Sequence, residues 1–165
     1  MKEKIINFFY ENPREKLNLK TISEKTNISH MSVLRAVNDL VKEELLNIKK
    51  TKLESIVSLN VQKTKELRRL YNIKKIIQSG LVEYLEKLFE YPKAIVLFGS
   101  YSFGEDNGTG DIDIAVQTKL KKNYNVKLFE KKLNRTIEIF TFNEKTKDEL
   151  KKSIYNGYVL RGRIQ

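Results

Sequence analysis

Apolar positions in the first sixty residues recur mostly at helical spacing. In KIINFFY, Ile5, Phe8 and Phe9 share one helical face. Asn12-Pro13 interrupts the pattern. Proline lacks an amide donor and disfavours a helical residue before it, so the first helix is predicted to end near Glu11. Asn18 is a good cap for a second helix, LKTISEKT, and Asn27 tolerates the left-handed turn that would close it. Ser29 caps a third, HMSVLRAVNDLVKEELL, with Val33, Leu34, Val37, Leu40 and Val41 at helical spacing. LLNIKK and ESIVSLN then read as two short strands joined through Thr51, Lys52 and Leu53.

The next 31 residues, VQKTKELRRLYNIKKIIQSGLVEYLEKLFEY, are predicted to be helical for most of their length, with Ser79-Gly80 as the break between two helices. Leu67, Leu70, Ile73 and Ile77 mark one apolar face; Leu81, Leu85, Leu88 and Phe89 mark the next. Arg68, Arg69, Lys74 and Lys75 read either as a nucleic-acid stripe or, as such charges more often do, as a solvated face. After Pro92 the rhythm changes. Ala94 to Phe98 is a short apolar run suited to a buried strand, DIDIAV is a second strand, and RTIEIFTF, Arg135 to Phe142, is a third. The remainder has room for one helix and a short tail. The expected fold class is α+β, with one domain over residues 1–61 and a second over 62–165.

Composition narrows the classes. No stretch approaches the roughly 18 apolar residues of a membrane span, so no membrane partner is expected. There is no cysteine, which excludes a disulfide framework and thiolate metal ligation. The N-terminus turns polar within a few residues, unlike a signal peptide, and a cytoplasmic location is expected. The net charge of +11 is spread along the chain and suits polyanionic partners such as nucleic acid or nucleotides.

Helix, helix, tight turn, helix and β-hairpin is the order of a winged helix-turn-helix. Residues 1–61 resemble the winged-helix domains of small prokaryotic DNA-binding proteins. The resemblance implies that the third helix enters a major groove, where Ser32, Arg35 and Asn38 reach base edges, while Lys49, Lys50 and Lys52 meet phosphate. The competing reading is a winged helix used for dimerisation or protein contact, and a homodimer is among the expected assemblies. His30, the only histidine, has no clustered partners and reads as a surface residue.

The chemistry is concentrated in FGSYSFGEDNGTGDIDIAV, Phe98 to Val116, which holds four of the seven glycines. Residues i and i+2 of a strand face the same side, so Asp111 and Asp113 project together while Ile112 and Ile114 turn to the core. Neighbouring carboxylates repel unless a cation sits between them, and hard oxygen ligands suit Mg2+. Glu138 interrupts an apolar strand. It either faces water by simple alternation or joins Asp111 and Asp113 in a shared metal site.

Gly99-Ser100, ten residues, then Asp111-Ile112-Asp113 resembles the signature of the minimal nucleotidyltransferases of the DNA polymerase β superfamily. The resemblance implies that Gly99 lets the backbone approach a nucleoside triphosphate and that Ser100 donates a hydrogen bond to a terminal phosphate. It implies a mixed sheet flanked by helices in the second domain, and two Mg2+ ions on Asp111 and Asp113, with Glu138 completing the catalytic site. Two departures stand out. Phe103 occupies a position where many relatives carry arginine, and Gly110 one where many carry serine.

Small nucleotidyltransferases of this type are similar to antitoxins that transfer AMP to a hydroxyl of a partner toxin. The expected function is therefore transfer of a nucleoside monophosphate from an NTP, ATP being the expected donor, to a partner protein of the HEPN toxin type. DNA would be a further partner through the winged helix. Two alternatives stand beside it: a DNA-binding regulator whose transferase domain senses nucleotide or is inactive, and a transferase acting on a nucleic-acid end.

Overall fold

The computed structural model describes residues 1–51 and 54–165. The chain divides into two compact units, Met1–Arg68 and Arg69–Gln165.

In the first unit, α1 (Lys2–Glu11) stops where Asn12-Pro13 forbids continuation, and the Asn12 side chain donates to the Phe8 carbonyl at 2.8 Å. Strand β1 (Lys16–Asn18) follows at once. Asn18 then caps α2 (Leu19–Thr26), its side chain accepting from the Thr21 amide at 2.9 Å. Asn27 takes a left-handed conformation at the far end, and Ser29 caps α3 (His30–Lys42). Strands β2 (Leu46–Lys50) and β3 (Ser55–Leu59) pair antiparallel, and β1 adds to the other side of β3. The sheet order is β1-β3-β2. Ile5, Phe9, Ile22, Val33, Val37, Leu40 and Val57 are fully buried.

Two sequence expectations need correction here. The buried face of α1 is Ile5, Ile6, Phe9 and Tyr10, with Phe8 only partly covered, because Tyr10 completes an i, i+4/5 stripe that the apolar count passed over. Helix α3 also ends three residues before β2 begins, so Glu43 to Leu45 form a turn in which Glu44 adopts a positive φ.

Helix α4 (Val61–Ser79) runs across the division between the units. Its covered positions include Thr64, Arg68, Asn72, Ile73, Ile76 and Ser79, while Leu67, Leu70 and Ile77 are exposed. Of the four positions expected on one apolar face, Ile73 is buried and the other three are exposed. Polar side chains are buried instead: the Thr64 hydroxyl donates to the Asn60 carbonyl, and the Ser79 hydroxyl to the Ile76 carbonyl. Arg68, expected on a solvated face, is 1% exposed. Gly80, at φ 84, breaks the helix before α5 (Leu81–Leu88).

The second unit is a mixed four-stranded sheet flanked by helices. Its order is β6-β5-β4-β7, built from β4 (Ala94–Phe98), β5 (Ile112–Gln117), β6 (Ile137–Phe142) and β7 (Tyr158–Gly162). Strands β5 and β6 are parallel; β4 is antiparallel to both β5 and β7. One sheet face carries Ile95, Leu97, Ile112, Ile114 and Ile137 into a core with Leu81, Leu85 and Phe89 of the α5 segment and Phe129 and Leu133 of α7 (Lys127–Leu133). The other carries Val96, Phe98, Ala115 and Phe142 against Ile154 of α8 (Asp148–Tyr155).

Strand β7 closes the edge beside β4 through a tight contact at its end. Gly162 has φ +73, and a Cβ there would stand 2.0 Å from the Lys93 carbonyl oxygen. The opposing oxygen is backbone, so it cannot rotate away. Gly162→Ala is expected to destabilise the unit by about 2–3 kcal/mol, read as a lowered urea midpoint with an unchanged slope.

Candidate active site

The site begins with strand register. Phe98, the last residue of β4, lies opposite Asp113 in the antiparallel ladder. Asp113 lies opposite Glu138 in the parallel ladder on its other side. Residues in register on adjacent strands share a face, so Phe98, Asp113 and Glu138 form a row across one end of the sheet. Ile112 and Ile114 are fully buried on the opposite face, which fixes the register of the whole strand. Phe98 of the row packs edge to face with Phe140, their centroids 5.4 Å apart.

Gly99 follows Phe98 directly. It takes φ +73, and a Cβ on it would lie 2.2 Å from Asp113 Oδ2. The missing side chain therefore makes room for a carboxylate. Gly99 opens the single turn α6 (Gly99–Ser102), and the Phe103 and Glu105 amides both donate to the Ser100 carbonyl, at 3.2 and 3.0 Å. The loop then folds back on itself. A Cβ on Gly110 would come within 4.0 Å of Ser100 Oγ, so the residue before Asp111 lies against the serine hydroxyl. Ser100 and Asp111 are exposed, Asp113 is half-buried and Glu138 is exposed.

What holds this loop was not legible as a motif. Asp106 is buried, and its carboxylate accepts from the Gly108 amide at 3.0 Å and from Asn72 Nδ2 at 3.1 Å. The same Asn72 nitrogen donates to the Tyr101 carbonyl at 2.9 Å. A buried carboxylate is tolerated when hydrogen-bonded in this way. The only sequence signal was an asparagine and an aspartate in segments that otherwise read as a helix surface and a loop. On the other side, the Ile112 amide donates to the Thr136 carbonyl and Glu130 of α7 accepts from the Ile137 amide, which sets the start of β6 beside β5.

The electrostatics follow from the placement. The Asp113 carboxyl is raised above the usual aspartate range, first by burial, then by the charge of Glu138, then by that of Asp111. The three carboxylates thus share one field. Among the described residues no three His, Asp or Glu side chains form a ready-made metal cluster. The donor chemistry nevertheless fits a hard divalent cation, because all three groups offer carboxylate oxygens and the repulsion felt at Asp113 is what such a cation relieves.

A cavity of about 510 Å³ opens beside the loop, lined by Gly108, Thr109, Glu130, Asn134, Arg135 and Thr136. Another, of about 380 Å³, lies at the opposite end of β4 and β5, among Pro92, Lys93, Gln117 and Thr118, and contains none of the expected site residues.

In the first unit, Arg35 and Asn38 are exposed on α3 and Ser32 is half-exposed at its start, where its amide donates to the Ser29 hydroxyl. Lys49 and Lys50 are exposed on β2. Lys52 lies outside the described residues. No helix among the described residues is long and apolar enough to cross a membrane.

Comparison with known proteins agrees with the geometry of the second unit. The family model for Polymerase beta, Nucleotidyltransferase matches residues 79–163. No curated protein matches the chain. Among solved structures, a possible transcriptional regulator from Methanosarcina mazei Go1 aligns at 19% identity over 55% of this chain and 76% of its own, with a TM-score of 0.37. The family match spans the sheet, the glycine loop and all three carboxylates, and the chain belongs to the polymerase β nucleotidyltransferase family.

Proposed function

We propose that the protein is a Mg2+-dependent nucleotidyltransferase that moves a nucleoside monophosphate from an NTP, with ATP the expected donor, to a hydroxyl of a partner protein. The observation that carries this is the row across the sheet end: Asp113 sits between Gly99 and Glu138, with Asp111 close enough to raise its pKa. Asp111, Asp113 and Glu138 would hold the two ions, which when bound supply charge for the attacking and leaving oxygens of an in-line displacement. Gly99 and Ser100 bind the triphosphate, the serine hydroxyl donating to a phosphate oxygen. The acceptor oxygen bonds to the α-phosphorus, the α–β bridging P–O bond breaks, and pyrophosphate departs. The acceptor proton passes to Glu138, whose carboxylate is exposed at the row's outer end.

The test is a titration of the whole chain with each NTP and Mg2+, followed by incubation with labelled ATP and proteins encoded beside it. A HEPN-type toxin is the expected acceptor. Binding of ATP with label transfer to protein supports the reading. Flat titrations with all four nucleotides would overturn it in favour of a regulator with an inactive transferase domain. Label on an oligonucleotide end would move the acceptor to nucleic acid.

The first unit supports a second activity within the same chain. Its three helices and three-stranded sheet suit a winged helix-turn-helix, with exposed Arg35 and Asn38 on α3 and exposed Lys49 and Lys50 on β2. DNA affinity is expected to fall steeply with salt, because phosphate contacts release counterions. Lys49→Ala and Lys50→Ala should each reduce the slope of log affinity against log salt by about 1, leaving the ATP titration unchanged. Equal slopes would place the DNA elsewhere.

A further inference from the structure

The loop assigned to the triphosphate has the wrong charge for it. Between Lys93 and Lys119 the sequence has no lysine or arginine, while it carries Glu105, Asp106, Asp111 and Asp113. Metal ions on the carboxylates would offset part of this. The far phosphates of an NTP still need a cation from another element.

The structure brings one to the loop. The Arg69 guanidinium carbon lies over the Phe103 ring, 5.9 Å from its centroid. Phe103 is one turn beyond Ser100 and its amide donates to the Ser100 carbonyl at 3.2 Å. Residues three apart on such a turn are neighbours. One turn further along α4, Asn72 ties the same loop down through the Tyr101 carbonyl and the Asp106 carboxylate. The 69/72 face of α4 therefore seats the loop at two points, and the guanidinium is held on the ring of the residue three beyond the serine. Arginine suits this place better than lysine. It stacks on a ring while its planar fork of donors still matches phosphate oxygens bidentately.

We propose that Arg69, seated on Phe103, is a triphosphate-binding residue that supplies from α4 the positive charge the glycine loop lacks. This rests on the nucleotidyltransferase reading above. The role concerns the polyphosphate, so the residue discriminates nucleoside triphosphates from monophosphates and not one base from another.

The experiment is calorimetric titration of the full chain with ATP and with AMP in Mg2+, for wild type, Arg69→Gln, Arg69→Lys, Phe103→Leu and Arg135→Gln. Arg135 serves as the comparison because it is the arginine lining the cavity beside the loop. Arg69→Gln should weaken ATP roughly ten- to a hundredfold, the loss of a charged hydrogen bond, with AMP almost unaffected. Arg69→Lys should recover part of the loss, and Phe103→Leu should show a smaller loss of the same ATP-selective kind. A merely structural role predicts equal losses for ATP and AMP and no recovery with lysine, and that pattern overturns the proposal. So does undiminished ATP affinity in Arg69→Gln, or a triphosphate-selective loss confined to Arg135→Gln. If Arg69→Gln does not fold, Arg69→Lys and Phe103→Leu decide by the same ATP-to-AMP ratio. A wild type that binds no NTP overturns the function reading as well; a wild type that binds while the Arg69 variants bind equally overturns only the assignment of Arg69.

Discussion

Asp113→Asn should lower nucleotidyl transfer roughly a hundred- to a thousandfold and, in the absence of divalent ions, raise the melting temperature. The two effects share one cause. Asp113 is half-buried between Gly99 and Glu138, and burial together with Glu138 and Asp111 pushes its carboxyl pKa up. The folded state therefore holds its proton more tightly than the unfolded chain does. Stability falls as pH rises through the unfolded aspartate pKa of about 3.9 and on through the raised folded value; above that value the whole penalty is in force. Asparagine removes a charge that the apo fold pays for, so the variant gains most near neutral pH and nothing at strongly acid pH. With Mg2+ added the order should reverse, since wild type gains stability by binding and the variant has lost a ligand. Thermal melts of both proteins at neutral and acid pH, with Mg2+ and with EDTA, check this. Full activity in the variant would remove Asp113 from the chemistry, and a lower apo melting temperature would remove the repulsion argument.

Local signals in this chain were legible where one side chain decides the backbone. Pro13 ends α1, Asn18 caps α2, Asn27 turns left-handed and Gly80 separates α4 from α5. Strands β4 and β5 were readable because both are short and nearly all apolar on the inward side. The elements that escaped depend on partners distant in sequence. Strand β1 is three residues long and exists because β3 is there to pair with it. Strand β7 was read as a tail; only the free edge of β4 makes it a strand. Helix α7, with three of its seven residues basic, gives a weak periodic signal and is held by Phe129 and Leu133 in the core.

The same distinction runs through the site. The spacing from Gly99-Ser100 to Asp111-Ile112-Asp113 marks the loop and the carboxylates, and the period of two marks their shared side. Register across the sheet, which places Glu138 beside Asp113, is a property of pairing and is absent from any single segment. The face of α4 that anchors the loop was misread because leucines outweighed Asn72 and Arg68 in the count of apolar positions. A buried polar residue is recognisable only once its hydrogen-bond partners are known, and those of Asn72 lie about thirty residues away.

Gly99→Val should abolish measurable ATP binding and transfer while leaving the chain folded. A side chain at this position meets two obstacles of different kinds. The first is local: φ is +73, a region that a β-branched residue enters at a cost of about 1–3 kcal/mol. The second is steric. The new Cβ would lie 2.2 Å from Asp113 Oδ2 and 3.2 Å from Asp113 Cγ. That obstacle is the end of a side chain, which can swing aside, whereas the Lys93 carbonyl that opposes Gly162 cannot. The stability loss should accordingly resemble that of Gly162→Ala or fall below it, but the displaced carboxylate is the one shared by the β5–β6 row. The damage thus falls on function first. Ser100→Ala is the counterpart: it leaves Asp113 in place and removes one hydroxyl, so ATP affinity should drop roughly ten- to a hundredfold with an unchanged melting temperature. Gly99→Ala should sit between the two, since it introduces the same clash with less bulk. Comparing melting temperature with ATP affinity across the three variants separates the causes. If Gly99→Val binds ATP as wild type does, the loop is not where the triphosphate lies; if it loses stability and affinity in proportion, the glycine is needed only for the turn.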